Sequence, residues 1–297
     1  MFNKIRKYFK DSFARKKARR FFQKYPYEII TCETAQYGKV EYAVWKNPIA
    51  DITILNEDEI NFYKKFIKKG DLCIDIGANV GDTTVPMAIV AEKEGLTLAF
   101  EPNPHIFEIT KANAALNQDK TNIVPIPYAI TETEGDFFYS SSEASFGNGG
   151  ISQSKEETKK HGKFVLEQKI SGVNLEAYLL KNYPQYIDKL SYIKIDTEGY
   201  DIIILNSIQN LIKKYTPFLV VECFSEANLE ERKKLLRFFE ERDYTLYYFS
   251  AFSQRADTVL LNENNLMNWD NFNFYAIHKD KKLKKKKKIF NQTDRSC

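Results

Sequence analysis

The chain has 297 residues, 43% of them hydrophobic and 14% aromatic, enough to bury the core of one large domain or two small ones. Its net charge of +4 is unevenly held: residues 1–24 carry ten Lys or Arg and one Asp, residues 279–297 carry nine and two, and the stretch between has 37 acidic against 25 basic residues. A middle of that sign repels phosphate backbones, which argues against a nucleic-acid enzyme, and no apolar run reaches the roughly 18 residues that would span a bilayer.

The first segment places Phe2, Ile5, Phe9 and Phe13 on one helical face among Lys4, Arg6, Lys7 and Lys10, which predicts a basic amphipathic helix. Such a helix either packs on its own domain with a solvated charged face or lies on an anionic membrane surface. Residues 25–69 contain the strand-like KVEYAVW and a helical stretch near EDEINFYKKFIKK, and read as an N-terminal elaboration. Over 70–278 the runs DLCIDIG, TTVPMAIVAEK, LTLAF, PHIFEITKANAALN and NIVPI alternate strand with helix, the pattern of a parallel sheet with crossover helices. Residues 127–191 interrupt it; their opening YSSSEASFGNGGISQSKEETKKHG is expected to be a disordered insert or a lid. The pattern resumes with YIKID, PFLVVECF, the helical LEERKKLLRFFEER, YTLYYFS and FNFYAIH, giving an α/β doubly wound domain of about seven strands. The Lys-rich stretch 279–297 is expected to be a disordered tail.

Cys32, Cys73, Cys223 and Cys297 lie far apart and read as reduced thiols, two of them in apolar runs. With only His105, His161 and His278, and neither a C-x-x-C nor an H-x-x-x-H, no structural zinc site is expected.

Chemistry concentrates in three motifs. Asp75-Ile76-Gly77-Ala78-Asn79-Val80-Gly81-Asp82 follows a strand and opens a helix, the place where an open α/β sheet binds nucleotides. A dinucleotide would need G-x-G-x-x-G, and here Asn79 and Asp82 stand at the second and third glycine positions. Asp82 also puts a carboxylate where a pyrophosphate should sit, so an NAD-dependent reading fails. S-adenosylmethionine, which carries an ammonium and a sulfonium and no phosphate, is compatible with those acids. The second motif, Phe100-Glu101-Pro102-Asn103, places an acid at the end of the next strand, where it can accept both ribose hydroxyls. The third, Lys194-Ile195-Asp196-Thr197-Glu198-Gly199, ends the first strand after the insert, expected to lie beside the first strand of the sheet and so to bring Asp196 and Glu198 to the same crevice. Lys194, in a strand buried on both faces, must be neutral or paired: either a structural partner of Asp196 or Asp75, or a group tuned for substrate contact.

Together DIGANVGDT, AFEPNP and KIDTEG resemble the FkbM-type family of S-adenosylmethionine-dependent methyltransferases over roughly residues 70–225. The resemblance implies a Rossmann-like methyltransferase fold and methyl transfer to a hydroxyl, often on a sugar or natural product. It implies cofactor contacts at Asp75, Gly77, Asn79, Gly81 and Glu101, with Ala78, Asp82, Pro102 and Asn103 in the same loops, and puts Lys194, Asp196 and Glu198 at the reaction centre. Where the family carries a T-L-D-like segment before the fourth strand this chain has Val173-Asn174-Leu175-Glu176, so Glu176 is an imperfect substitute.

Methyl transfer needs an oxygen held in line with the methyl and a base for its proton, and the candidates are Asp196, Glu198, Lys194 and His105. Asp196 and Glu198 could instead hold a divalent ion, which no motif here supports. The expected partners are a small-molecule or glycan acceptor and, through the basic ends, an anionic membrane; the expected location is cytoplasmic, peripheral to a membrane's inner face. The alternative is a non-catalytic cofactor-binding scaffold docked to a membrane-associated glycan assembly system, against which the intact Lys194, Asp196 and Glu198 set speaks.

Overall fold

A computed structural model describes residues 2–50 and 55–281, with the side chains of residues 6–50 and 55–281. In chain order the elements are α1 (Phe2–Arg20), β1 (Tyr27–Thr34), β2 (Gly38–Trp45), α2 (Glu57–Tyr63), β3 (Leu72–Ile76), α3 (Thr84–Ala91), β4 (Leu96–Phe100), α4 (Pro104–Ala115) and β5 (Ile123–Ile126). The insert contributes β6 (Ala129–Ile130), β7 (Gly135–Ser141), β8 (Gly150–Ser152), β9 (Phe164–Val165) and β10 (Ile170–Val173). After it come α5 (Leu175–Asn182), β11 (Leu190–Ile195), α6 (Asp201–Ser207), α7 (Gln209–Tyr215), β12 (Phe218–Cys223), α8 (Leu229–Glu240), β13 (Tyr244–Phe249), β14 (Thr258–Leu260) and β15 (Phe272–His278).

The main sheet has the order β14-β13-β15-β12-β11-β3-β4-β5. The five strands from β12 to β5 are parallel, β15 runs antiparallel between β12 and β13, and the short β14 adds an eighth strand to the seven expected. β3 is buried at every residue. Its alternate side chains serve opposite faces: Leu72, Ile74 and Ile76 pack with residues of α5 to α8, and Cys73 packs with α2, α3 and the inner face of β2. From β3 the chain turns one way to β4 and β5 and later returns to β11 on the other side, so the topological switch falls between β3 and β11.

The N-terminal hairpin β1–β2 docks through side-chain amides instead of a third strand. Asn113 of α4 accepts from Ala43 N (2.7 Å) and donates to Ala43 O (3.1 Å), and Asn117 does the same for Glu41 at 2.8 Å each. These amides satisfy the free edge of β2 and fix the hairpin against the helix that follows β4.

Residues 127–191 are ordered, not disordered: β6, β10, β7 and β8 form a second sheet, with β9 on β7, around Phe137, Tyr139, Phe146, Leu166 and Ile170. The polar run conceals this because its apolar partners are far apart in sequence, Phe137 pairing with Ile170 across β7 and β10.

α1 is a helix as expected, but Tyr8, Phe9 and Phe13 remain 65%, 66% and 72% exposed, so that face does not pack on the domain. Its last turn docks, with Ala18 buried and Arg19 O accepting from Ala144 N at 3.1 Å. The side chains of Phe2 and Ile5, Cys297, and the tail from residue 282 onward lie outside the described residues. Cys32, Cys73 and Cys223 are free thiols, and among the described residues no helix is long and apolar enough to cross a membrane.

Candidate active site

At the carboxyl ends of the parallel strands, over the switch point, lies a cavity of about 690 Å³. Its walls come from the loop after β3, the ends of β4, β11 and β12, the N-terminal elements, and Gly147–Ile151 of the insert.

The loop after β3 is shaped by one close approach. Gly77 has φ +76, and a Cβ there would lie 1.9 Å from the Asp196 carbonyl oxygen, so no side chain can be carried at this position. The gap lets Asp196 N donate to Ile76 O at 3.1 Å and seals β11 against the turn. On the other side, the N–H groups of Gly77 and Ala78 both donate to Phe100 O at 3.0 Å. The Thr110 hydroxyl donates to Asn79 O and Asn113 Nδ2 to Val80 O (2.7 Å), so α4 grips the tip of the loop.

Glu101 is 5% exposed yet lines the cavity. Asn79 N donates to its Oε2 (2.9 Å) and Asn103 N to its Oε1 (2.8 Å), which fixes the carboxyl plane while leaving each oxygen a further lone pair. Burial pushes its pKa up to about 7, against the downward pull of those N–H donors. Asp75, by contrast, is fully buried and does not face the cavity; its Oδ2 accepts from the hydroxyls of Thr83 (2.8 Å) and Thr84 (2.6 Å), tying the start of α3 to β3.

Lys194, 3% exposed, sits opposite Asp75 in the β11–β3 register, with Nζ 3.0 Å from Asp196 Oδ2 and 3.6 Å from Asp75 Oδ1. Burial alone would lower its pKa, but Asp196, Asp75 and Asp82 outweigh it and the net shift is upward. It is the ion-pair partner of both aspartates, and it also lines the cavity wall.

The loop after β11 is pinned by Asp201, which accepts from Thr197 N and Oγ1 (both 3.1 Å) and from Gly199 N (3.2 Å). This holds Glu198 at φ +56 with its carboxyl toward the cavity; burial, then Asp196 and Asp201, push that carboxyl up to about 7. Asp196, its side chain 33% exposed, is the accessible member of the group. Glu222 at the end of β12 completes it: its Oε1 accepts from Asn271 Nδ2 (2.8 Å), its Oε2 has no partner, and burial followed by Asp196 pushes it up to about 9.

Of the residues singled out in the sequence, Gly77, Asn79, Asp82, Glu101, Pro102, Lys194, Asp196 and Glu198 line this cavity. Asp75, Ala78, Gly81, Asn103 and His105 do not. Asp75 and Ala78 brace the loop from behind, and Gly81, at φ +90, closes its last turn by donating to Ala78 O at 2.8 Å. Asn103 is wholly buried, caps α4 through His105 N (3.0 Å) and donates to Phe146 O (2.7 Å), joining that helix to the insert. His105 lies between Phe22 and Phe146 with ring centroids 4.8 and 5.6 Å away, off the cavity wall, and burial lowers its pKa. Glu176 accepts from Asn210 at 3.3 Å, at the surface. Tyr42, Glu59 and Glu222 were not singled out; of these only Glu222, a carboxylate inside the apolar run FLVVEC, left a signal of the Lys194 kind. Among the described residues no three His, Cys, Asp or Glu side chains are arranged to hold a metal ion.

Three comparisons bear on this site. The model of a family described as the methyltransferase FkbM domain matches residues 75–246, the stretch that supplies β3 to β13. No curated protein matches the chain. Among solved structures the chain is similar to a methyltransferase FkbM from Methylobacillus flagellatus KT (12% identity, TM-score 0.42, 71% of this chain and 44% of that one). It is also similar to a precorrin-6y C5,15-methyltransferase from Geobacter metallireducens GS-15 (11%, TM-score 0.40, 77% and 91%) and a SAM-dependent O-methyltransferase from Thermotoga maritima (12%, TM-score 0.37, 85% and 78%). The chain thus spans less than half the length of the Methylobacillus protein, and likenesses this distant carry no argument about substrate.

Proposed function

The chain belongs to the FkbM methyltransferase family, and from that premise we propose that it moves the methyl group of S-adenosylmethionine to a hydroxyl of a sugar, glycan or natural product. The observation that carries the hydroxyl reading is the pair Asp196 and Glu198 at the cavity wall, one accessible carboxylate beside one whose pKa is pushed near neutrality. An alcohol is a weak nucleophile and must lose its proton as it attacks, and a carboxylate in this setting suits that task.

The residues also fit the cofactor. Glu101 is aimed into the cavity with lone pairs free for a diol, and the wall offers seven carboxylates against one lysine that is already paired. Such a lining favours a ligand of positive charge and disfavours a phosphorylated one. The cofactor supplies a methyl on positively charged sulfur, open to in-line displacement. Asn79 and Glu101 hold the sugar end against the loop after β3. Lys194 keeps Asp196 in place, and Asp196 accepts the acceptor hydroxyl's proton, with Glu198 beside it to share the charge. The insert's Gly147–Ile151 and the N-terminal elements close over these groups and exclude water.

We extend the proposal to place: cytoplasmic, with α1 on the inner face of a membrane, supported by Phe9 and Phe13 left uncovered among lysines and arginines. The activity test is incubation of the purified chain with S-adenosylmethionine and a panel of neutral sugars, amino sugars and phenolic acceptors, reading S-adenosylhomocysteine and the product's mass. An O-methyl product, lost at least about a hundredfold in Asp196→Asn, is expected. Methyl found on nitrogen or carbon, or full turnover in both Asp196→Asn and Glu198→Gln, would overturn the reading.

A further inference from the structure

We infer that a second cavity, on the far side of Glu198 and Glu222, seats the acceptor, and that it takes a sugar unit bearing no phosphate, sulfate or carboxylate; the inference rests on the hydroxyl-transfer reading above. This cavity, of about 600 Å³, lies between the insert, which contributes the end of β8 and the helical turn Glu157–Lys160, and the loop from β12 into α8. Ile151, Glu198, Tyr200 and Glu222 line both cavities, so a ligand seated in the second ends against the carboxyl groups of the first. No residue of the loops after β3 and β4 lines it. In the sheet it stands over β11 and β12, one side of the switch point, whereas the groups assigned to the cofactor follow β3 and β4 on the other.

Two polar side chains of its wall point to a ligand, because each is more than nine-tenths buried and keeps an oxygen without a hydrogen-bond partner. Ser152 is 6% exposed and its hydroxyl is unpaired; Glu222 is 8% exposed and its Oε2 accepts from no donor. An unpaired buried group of this kind costs about 1–3 kcal/mol, which a ligand hydroxyl, donor and acceptor at once, can recover. Beside them stand the half-buried rings of Tyr200 and Phe224 and the apolar Ile151 and Leu235. Apolar walls with a few convergent polar groups are the make-up of a small-molecule site. A sugar ring, apolar on its C–H faces and polar round its rim, matches both parts.

The charges of the wall decide against an anion. Three basic side chains line it, Lys160, His161 and Arg232. Arg232 is spent within the protein, donating to the backbone carbonyls of Ala227 (2.9 Å), Leu266 (2.7 Å), Trp269 (2.6 Å) and Asp270. Burial and then Lys160 lower the pKa of His161, which keeps its ring toward the neutral form. That leaves Lys160, exposed and outnumbered by Glu132, Glu157 and Glu226, which are exposed as well. A phosphorylated or acidic sugar would enter against a wall of its own sign and find no free cation at the bottom.

The test is saturation-transfer NMR on the full chain loaded with S-adenosylhomocysteine, with the methyl glycosides of glucose, galactose, mannose and rhamnose as probes and glucose 6-phosphate and glucuronic acid as anionic counterparts. At least one neutral glycoside should receive saturation and neither anion should. Ala227→Trp, which fills the cavity from the α8 side, should remove the signal, and Ser152→Ala should weaken the glycoside's binding roughly threefold to tenfold. Both variants should bind S-adenosylhomocysteine within about twofold of wild type by calorimetry. Ser152→Ala should also leave melting of the free protein unchanged or raise it, since the hydroxyl it removes is unpaired. No saturation of any neutral glycoside in wild type, equal saturation of the anions, or a signal untouched by both substitutions would overturn the site while leaving the cofactor in place. Failure of wild type to bind S-adenosylhomocysteine would instead remove the cofactor reading, and the acceptor site with it.

Discussion

Replacing Lys194 by Met removes the one cation between two carboxylates of the sheet's switch point. The side chains are of similar length, so packing is nearly kept and the loss is electrostatic. With Nζ 3.0 Å from Asp196 and 3.6 Å from Asp75, each attraction is about 5 kcal/mol at an effective dielectric of about 20, before the lysine's own desolvation is subtracted. Asp75 is fully buried and cannot turn to solvent, so the net penalty should be that of a broken buried pair, about 3–5 kcal/mol. Urea unfolding should show the midpoint falling at unchanged slope, with melting lowered by roughly 6–15 °C. One control separates this from a packing defect: adding Asp75→Asn to Lys194→Met should recover part of the loss. A penalty under about 1 kcal/mol, or strict additivity of the two substitutions, would refute the account of Lys194 as a structural cation.

Gly77→Ala should destabilise by more than about 2 kcal/mol and abolish cofactor binding, since its Cβ would overlap the Asp196 carbonyl; a folded variant that still binds cofactor would contradict the close approach seen here. Glu59, Glu101, Glu198 and Glu222 all have folded pKa values raised above 4.5, so the stability they favour is present below about pH 4.5 and lost as pH rises through 7 to 9. Melting of the ligand-free protein should therefore fall across that window, and Glu222→Gln should flatten the decline; a melting point that climbs from about pH 5 to 9 would argue against it. Sedimentation with phosphatidylserine vesicles should retain the chain at low salt, and Phe9→Ser with Phe13→Ser should release it; equal retention of the variant would leave only non-specific charge attraction.

The fold was legible wherever burial on both faces leaves a near-continuous apolar run. LCIDI, LTLAF, LSYIKI and FLVVEC are such runs, and their polar interruptions, Asp75, Lys194 and Glu222, stand out because a central parallel strand has no solvated side to put them on. The insert was illegible for the opposite reason. Its sheet is built from short strands whose alternation is hidden in Ser and Gly, and its core forms by pairing residues more than thirty positions apart. Glu59 looked like an ordinary acid in a helix's first turn, where the helix dipole favours one. Only the packing of α2 on α3, which no local pattern encodes, turns it toward Asp82. His105 misled because it follows Glu101-Pro102-Asn103 so closely: the Asn103 cap starts α4 at once and carries the ring round to Phe22 and Phe146.

These acids also couple binding to protonation. Ligand-free, Glu59, Glu101, Glu198 and Glu222 are each biased by burial toward the neutral acid, so near neutral pH the cavity carries less charge than its seven carboxyl groups suggest. A cationic ligand reverses that bias at the groups it touches, and part of its binding free energy goes into ionising them. Affinity for such a ligand must then rise with pH until those groups are ionised without it, while affinity for a neutral fragment does not. The same coupling bears on transfer. Asp196 stands between Lys194, which stays charged, and Glu222 and Glu198, whose raised pKa values let them hold a proton. In the hydroxyl transfer proposed above, a proton arriving on Asp196 would have neighbours able to take it on.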